Sequence, residues 1–118
     1  MKKFDYKNRN PKLFLTDILD SLEKIELFTQ NLVYESFVGN IKTTDAVLRN
    51  IEVMGEASKH IPDEIRELYP QIPFKKIAGM RDKLIHDYLG INYKLIFETI
   101  KTRFPELKEI VRAALKEE

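Results

Sequence analysis

Hydrophobic residues recur every three or four positions along most of the chain, the spacing of helices that bury one face. The first stripe follows Asn10-Pro11, a capping residue with a proline in the first turn, and its intervening positions are largely charged. Its apolar members are Leu15, Ile18, Leu19, Leu22, Ile25 and Leu32. The pattern predicts an amphipathic helix that begins after Asn10.

A second stripe follows the connection Gly39-Asn40, with an N-cap expected near Thr43 or Thr44. Its apolar members are Val47, Ile51, Met54 and Ile61. Small residues stand beside this stripe at Gly55, Ala57 and Ser58. We expect a second helix here, which a neighbouring helix can approach closely at the small residues.

Prolines and a glycine divide the next part of the chain. A short third helix is predicted to begin at Pro62-Asp63-Glu64 and to end before Pro70, because the residue before a proline disfavours helical backbone. A fourth helix is predicted from Pro73 to Leu89, with Gly90 as its terminator.

The last apolar stripe begins after Asn92 and continues to Leu115, with Pro105 expected to end or kink the helix. No segment shows the two-residue alternation of a half-buried strand. The sequence therefore predicts an all-α, up-and-down bundle of about five helices, in one domain over residues 1–118. Residues 1–9, which include four lysines or arginines, are expected to be a flexible basic tail.

Composition narrows the class of protein. The chain has 118 residues, with 20 Lys+Arg against 19 Asp+Glu, so overall charge selects no partner. The absence of cysteine excludes disulfides, thiolate metal sites and cysteine nucleophiles. No apolar run is long enough for a membrane span, and the N-terminus lacks the apolar core of a signal peptide. We expect a cytoplasmic protein.

Two histidines are the natural candidates for proton transfer near neutral pH. His60 ends the second predicted helix, where an imidazole can interact with exposed carbonyls, and a structural role is favoured for it. His86 lies in the segment 79–90, which holds the densest group of reactive side chains in the chain.

Helix geometry relates the side chains of this segment if the helix continues to Leu89. Asp82 would lie one turn before His86, so its carboxylate could set the imidazole tautomer. Arg81 and Tyr88 would fall within about 20° of each other, whereas Arg81 and His86 would be about 140° apart. One helix presents the last pair poorly, which suggests that a second copy of the chain completes the site.

A structural interpretation of the same segment stays open. Leu84, Ile85 and Leu89 form an ordinary core stripe, and the charged residues between them are typical of a solvated helix face. Asp82 and His86 would supply only two metal ligands, and no third is evident, so no metal site is predicted.

The spacing of Arg81, His86 and Tyr88 resembles the Arg-x4-His-x-Tyr motif of HEPN-domain ribonucleases. The residues 46–57 are similar to that family's second-helix signature, and residues 69–81 are similar to the stretch that leads into the motif. These features occur in the expected order over most of residues 12–110. The chain thus resembles the HepT-type toxins of HepT–MntA toxin–antitoxin modules.

The resemblance implies an α-helical homodimer in which two motifs line one cleft and cleave RNA without a metal or other cofactor. Arg81 and His86 would be its catalytic residues. Asp82 occupies a position where the family usually has Asn and also allows Asp, so it is assigned a supporting role. The resemblance further implies a nucleotidyltransferase antitoxin, similar to MntA, that transfers AMP groups onto Tyr88.

RNA binding requires cations, and Lys75, Lys76 and Lys83 flank the motif as candidates, although a purely solvating role suits them equally. Two functions therefore follow from the sequence. The first is a ribonuclease toxin restrained by its antitoxin. The second is a non-catalytic helical module that holds a nucleotidyltransferase partner or a nucleotide.

Overall fold

Helices account for most of the described chain. The structure is a computed structural model that describes residues 10–86 and 90–116. Within these ranges it contains seven helices and one pair of two-residue strands. The helices are α1 (Pro11–Thr29), α2 (Tyr34–Val38), α3 (Ile41–Lys59), α4 (Asp63–Leu68), α5 (Phe74–Leu84), α6 (Tyr93–Thr102) and α7 (Phe104–Lys116). The strands are β1 (Ile85–His86) and β2 (Gly90–Ile91).

Asparagine side chains cap three of the long helices. Asn10 accepts a hydrogen bond from the Lys12 amide at 2.9 Å, as the sequence predicted. Asn40 caps α3 by accepting from the Thr43 amide, so the cap lies a few residues before its predicted position. Asn92 caps α6 in the same way.

The core is a single apolar cluster formed by the inward stripes of the helices. α1 packs on α3 and α7, α5 also packs on α3, and α6 contacts α2 and α7. The fully buried members include Phe14, Leu15, Ile18, Val47, Met54 and Ile96. All of these except Phe14 belong to the apolar stripes on which the helix prediction rested, and the all-α prediction is confirmed.

Seven helices stand where about five were expected, for two local reasons. The short α2 occupies the connection between the first two predicted helices. The last predicted helix divides at Arg103 into α6 and α7, with Pro105 in the first turn of α7, where its missing amide proton costs nothing. The third predicted helix is confirmed as α4, which ends before Pro70.

The fourth predicted helix is too long. α5 ends at Leu84, and Ile85 adopts extended backbone with φ −122° and ψ 104°. β1 pairs antiparallel with β2, so that Ile85 faces Ile91 and His86 faces Gly90. The expectation of no strand is therefore corrected, although these strands are too short to show alternation in the sequence.

Two further expectations concern the ends of the chain and the membrane. The predicted basic tail, residues 1–9, lies outside the described residues. No helix of the described ranges is both long enough and apolar enough to span a bilayer.

Candidate active site

Arg81 lies at the edge of the α5 face that packs against α3. Ile77 and Leu84, four residues before and three after, are almost completely buried on that face. The Arg81 side chain is 34% exposed, because it extends from the edge of this contact towards solvent. The Arg81 side chain thus begins beside the buried residues of α5, and its positive charge lies at the surface.

Gly55 makes room for Arg81 on the opposing helix. A Cβ atom at Gly55 would lie 3.4 Å from the Arg81 Cβ and 3.7 Å from the Ile77 carbonyl oxygen. The sequence predicted a close approach of helices at the small residues of α3, and the structure confirms it at Gly55. The helix contact therefore determines where the arginine side chain begins.

Two carboxylates flank the Arg81 guanidinium. Glu52 Oε1 lies 3.7 Å from Nη2, across the helix contact, and Asp82 Oδ1 lies 3.4 Å from Nη1. Both distances exceed the roughly 2.7–2.9 Å of tight charge-assisted hydrogen bonds. Exposed pairs of this kind contribute about 0–1 kcal/mol, so a phosphate could replace them at small cost.

A groove of about 1020 Å³ surrounds this arginine between α3 and α5, with α1 at its edge. We call it the α3–α5 groove. Its charged lining residues are Asp17, Arg49, Glu52, Glu56, Lys59, Arg81 and Asp82. The volume is at the upper end of the range of about 300–1,000 Å³ that is typical of small-molecule sites.

The predicted link between Asp82 and His86 was argued from a helix that continues to Leu89, and the backbone differs from that expectation. Because α5 ends at Leu84, the two residues are no longer one helical turn apart, and Asp82 contacts Arg81 instead. The helical angle between Arg81 and His86 fails for the same reason. The backbone of His86 lies in β1, and its side chain is outside the described part of the chain.

The helix end is held by a contact from further along the chain. The Asn92 amide donates a hydrogen bond to the Leu84 carbonyl at 3.1 Å. In a continuing helix that carbonyl would accept from Tyr88. Tyr88 itself lies outside the described residues, and so does the part of the predicted helix over 87–89.

The three predicted RNA-binding lysines are exposed but do not line the α3–α5 groove. Lys76 and Lys83 are seven residues apart and share one face of α5, about 140° and 160° away from Arg81. Lys75 also lies on the outer side of the helix by this geometry. In one chain, the structure therefore separates these lysines from the arginine.

The sequence interpretation missed the polar stripe that α3 presents to the groove. Arg49, Glu52, Glu56 and Lys59 follow one another at intervals of three, four and three residues. This is the same helical spacing that identified the core, applied to charged residues, so the signal was present in the sequence. The packing of α5 beside that face is what makes these charged residues part of a groove.

His60 has a structural contact at the end of α3. Its Nε2 lies 2.7 Å from Glu56 Oε1, one turn earlier. Arg66 donates to the Ser58 carbonyl near the end of α3 and to the Ile61 carbonyl just beyond it, so this arginine also holds the helix end. Among the described residues, no three His, Asp or Glu side chains converge as metal ligands.

Comparisons with known proteins place the chain among ribonucleases. A family model described as "Ribonuclease HepT-like" matches residues 18–114. A protein of Methanocaldococcus jannaschii named "Putative RNase MJ1216" is 50% identical over 109 residues, covering 92% of this chain and 90% of the relative. "Probable ribonuclease HepT" of Thermococcus cleftensis is 44% identical over 100 residues, covering 85% and 91%. No solved structure matches the chain.

Proposed function

Since the chain belongs to the HepT-like ribonuclease family and is itself a ribonuclease, we propose that it cleaves RNA in the α3–α5 groove, with Arg81 and His86 as its catalytic residues. The observation that carries this proposal is the position of Arg81. A guanidinium extends from a buried helix contact into a groove of ligand-binding dimensions, beside the Glu52 and Asp82 carboxylates.

The proposed reaction uses the RNA itself as nucleophile. The 2′-oxygen forms a bond to the adjacent phosphorus, the bond from phosphorus to the 5′-oxygen breaks, and a cyclic phosphate remains on the upstream fragment. His86 accepts the proton of the 2′-hydroxyl, and an imidazolium, that of the same residue or of a second His86, donates one to the leaving 5′-oxygen. No metal is needed for this proton transfer.

Arg81 would stabilise the transition state through its two Nη groups. Negative charge increases on the phosphoryl oxygens as the 2′-oxygen attacks, and a planar guanidinium offers two parallel donors to such oxygens. Gly55 and the buried neighbours of Arg81 hold the base of the side chain, so the cation needs little rearrangement at the moment of reaction.

We further propose that the active form is a homodimer with a composite cleft. Arg81 lies on α5, whereas His86 lies beyond the end of that helix, on β1. The open groove around Arg81 could accept groups from a second copy of the chain, and the resemblance to HepT-type toxins implies such an arrangement. Two His86 side chains in one cleft would supply both the proton acceptor and the proton donor.

The biological role that we propose is that of a cytoplasmic toxin in a toxin–antitoxin module. Its partner would be a nucleotidyltransferase similar to MntA that attaches AMP groups to Tyr88. The added phosphates would bring negative charge to a residue only a few positions from Arg81, and would compete there with the RNA phosphate.

Cleavage of total RNA in EDTA tests the core of this proposal. We expect the wild-type chain to cut RNA, and the Arg81→Ala and His86→Ala variants to be inactive while their helix content, measured by circular dichroism, is unchanged. Equal cleavage by wild type and His86→Ala would reject the assigned catalytic roles. Loss of activity together with loss of helix content would favour a structural role for these residues.

A further inference from the structure

Two cations of the α3–α5 groove have no ionic partner among the described residues. Arg49 and Lys59 both line the groove, and neither forms an ion pair or a side-chain hydrogen bond there. Nearby acids are engaged elsewhere: Glu52 lies close to Arg81, and Glu56 lies 2.7 Å from His60. The unpaired charge on the α3 side of the groove is therefore positive.

These two cations lie on either side of the point where α5 crosses α3. Gly55, which contacts Arg81, is six residues after Arg49 and four before Lys59. At 1.5 Å per residue, Arg49 and Lys59 are about 15 Å apart along the helix axis, with Arg81 between them. That length corresponds to about four stacked nucleotides of one strand, at about 3.4 Å each.

We propose that a single RNA strand lies along α3, with Arg49 and Lys59 binding backbone phosphates on opposite sides of the phosphate held at Arg81. This inference rests on the proposed function, because it extends the same groove to a substrate path. Arg49 and Lys59 act as substrate-binding residues that align the strand. They replace Lys75, Lys76 and Lys83 as the cations that meet RNA.

The charge of the α3–α5 groove indicates that RNA binding would depend on individual phosphate contacts. Its lining holds three cations and four carboxylates, so it has no broad positive field to attract a polyanion. Binding must then depend on particular phosphates that meet particular cations. Each such contact to single-stranded RNA contributes about 0.7 to the slope of log affinity against log salt concentration.

The test measures binding of a fluorescent single-stranded RNA oligonucleotide by anisotropy at several salt concentrations. The His86→Ala background prevents cleavage during the measurement. We expect Arg49→Ala/Lys59→Ala to lower the salt slope by about 1.4 and to weaken affinity on the order of tenfold near 0.1 M salt. Arg49→Lys, which keeps the charge, should retain most of the affinity.

A matched control removes one arginine and one lysine elsewhere. Arg103 follows α6 and Lys116 ends α7, both are exposed, and neither lines the groove. Arg103→Ala/Lys116→Ala changes the net charge equally, and we expect the slope to stay unchanged. If the groove variant behaves like this control, the proposed path is wrong. A lowered slope in Lys76→Ala/Lys83→Ala alone would place the strand on the outer face of α5 and would also overturn it.

Failure of this inference is distinguishable from failure of the proposed function. If wild type cleaves RNA and the groove variant binds it as tightly as the control does, only the path along α3 is rejected. If the wild-type chain neither cleaves RNA nor binds it at any salt concentration, both are rejected.

Discussion

Gly55 of α3 lies against Arg81 of α5, so closely that a methyl group at Gly55 would be 3.4 Å from the arginine Cβ. The absence of a large side chain at Gly55 leaves room for α5 to pack on α3, and Glu52 of α3 lies 3.7 Å from the guanidinium. The size of the residue at position 55 and the position of a proposed catalytic arginine are therefore coupled.

Two substitutions at Gly55 should distinguish the effect of side-chain size from the effect of helix propensity. Gly55→Ala fits at ordinary van der Waals distance and favours helix, so we expect stability to rise by up to about 1 kcal/mol, with cleavage retained. Gly55→Leu cannot fit without displacing α5 and should cost about 1–3 kcal/mol and reduce cleavage. Urea denaturation and initial cleavage rates measure both effects.

A matched stability control for this pair is Gly79, where an added Cβ would contact nothing within 4 Å. Gly79→Leu should not destabilise the chain. If Gly55→Leu were as stable as Gly79→Leu, the close contact at Gly55 would not constrain the packing of α5.

Replacement of Arg81 by lysine should show that geometry matters in addition to charge. Lysine keeps the positive charge but lacks the two parallel donors, so we expect Arg81→Lys to lose cleavage by about 10²-fold or more. Stability should change by less than about 1 kcal/mol, because lysine keeps the positive charge beside Glu52 and Asp82, and both of these ion pairs are long and exposed. Near-normal cleavage by Arg81→Lys would mean that a point charge suffices.

Substitution of Gly90 should weaken the strand pair because of its backbone conformation alone. Its φ of +98° disfavours any residue with a side chain, although an added Cβ would meet open space. Because Gly90 pairs with His86, Gly90→Ala should loosen the β1–β2 pairing, at a local cost of about 1–3 kcal/mol. We expect faster hydrogen exchange of the Asn92 amide and slower RNA cleavage. Unchanged exchange would show that the strand pairing tolerates the new backbone angle.

Tyr88 should be the point at which the antitoxin acts. Tyr88→Phe removes the hydroxyl that would carry AMP, so we expect this variant to stay toxic when it is expressed with its nucleotidyltransferase partner. Mass spectrometry of the wild-type chain after co-expression should find AMP on the peptide that contains Tyr88. A silenced complex with an unmodified Tyr88 peptide would indicate that the partner only covers the cleft.

The composite cleft predicts a dimer of 13.9 kDa chains. Light scattering at micromolar concentration should give twice the chain mass. A particle of one chain mass would contradict the proposed composite cleft. Mixing the inactive Arg81→Ala and His86→Ala variants then tests how many His86 side chains the cleft needs. Half of random dimers are mixed and each holds one Arg81 and one His86, so cleavage should return to up to about a quarter of wild type if one His86 both accepts and donates the proton, and should stay absent if both His86 side chains are required.

Several features of this protein could be predicted from the sequence because they depend on nearby residues. Helix α1 follows from its apolar spacing and from the Asn10 cap, and α4 follows from Pro62 and Pro70. The resemblance of the chain to a ribonuclease family, which was based on residues 46–57 and on the spacing of Arg81, His86 and Tyr88, is confirmed by the family model over residues 18–114. Such features need only the contacts that a residue makes within about one helical turn.

Tertiary structure alone decided where α5 ends and which charges share the groove. Nothing near Leu84 marks a helix end, because that end depends on the Asn92 amide and on pairing between Ile85 and Ile91. Periodicity likewise assigns Arg49 and Lys83 to polar faces without telling which face meets another helix. The packing of α5 on α3 at Gly55 places Arg49 in the groove and leaves Lys83 on the outer face of α5. Local spacing cannot encode such contacts, because they join segments that are distant along the chain.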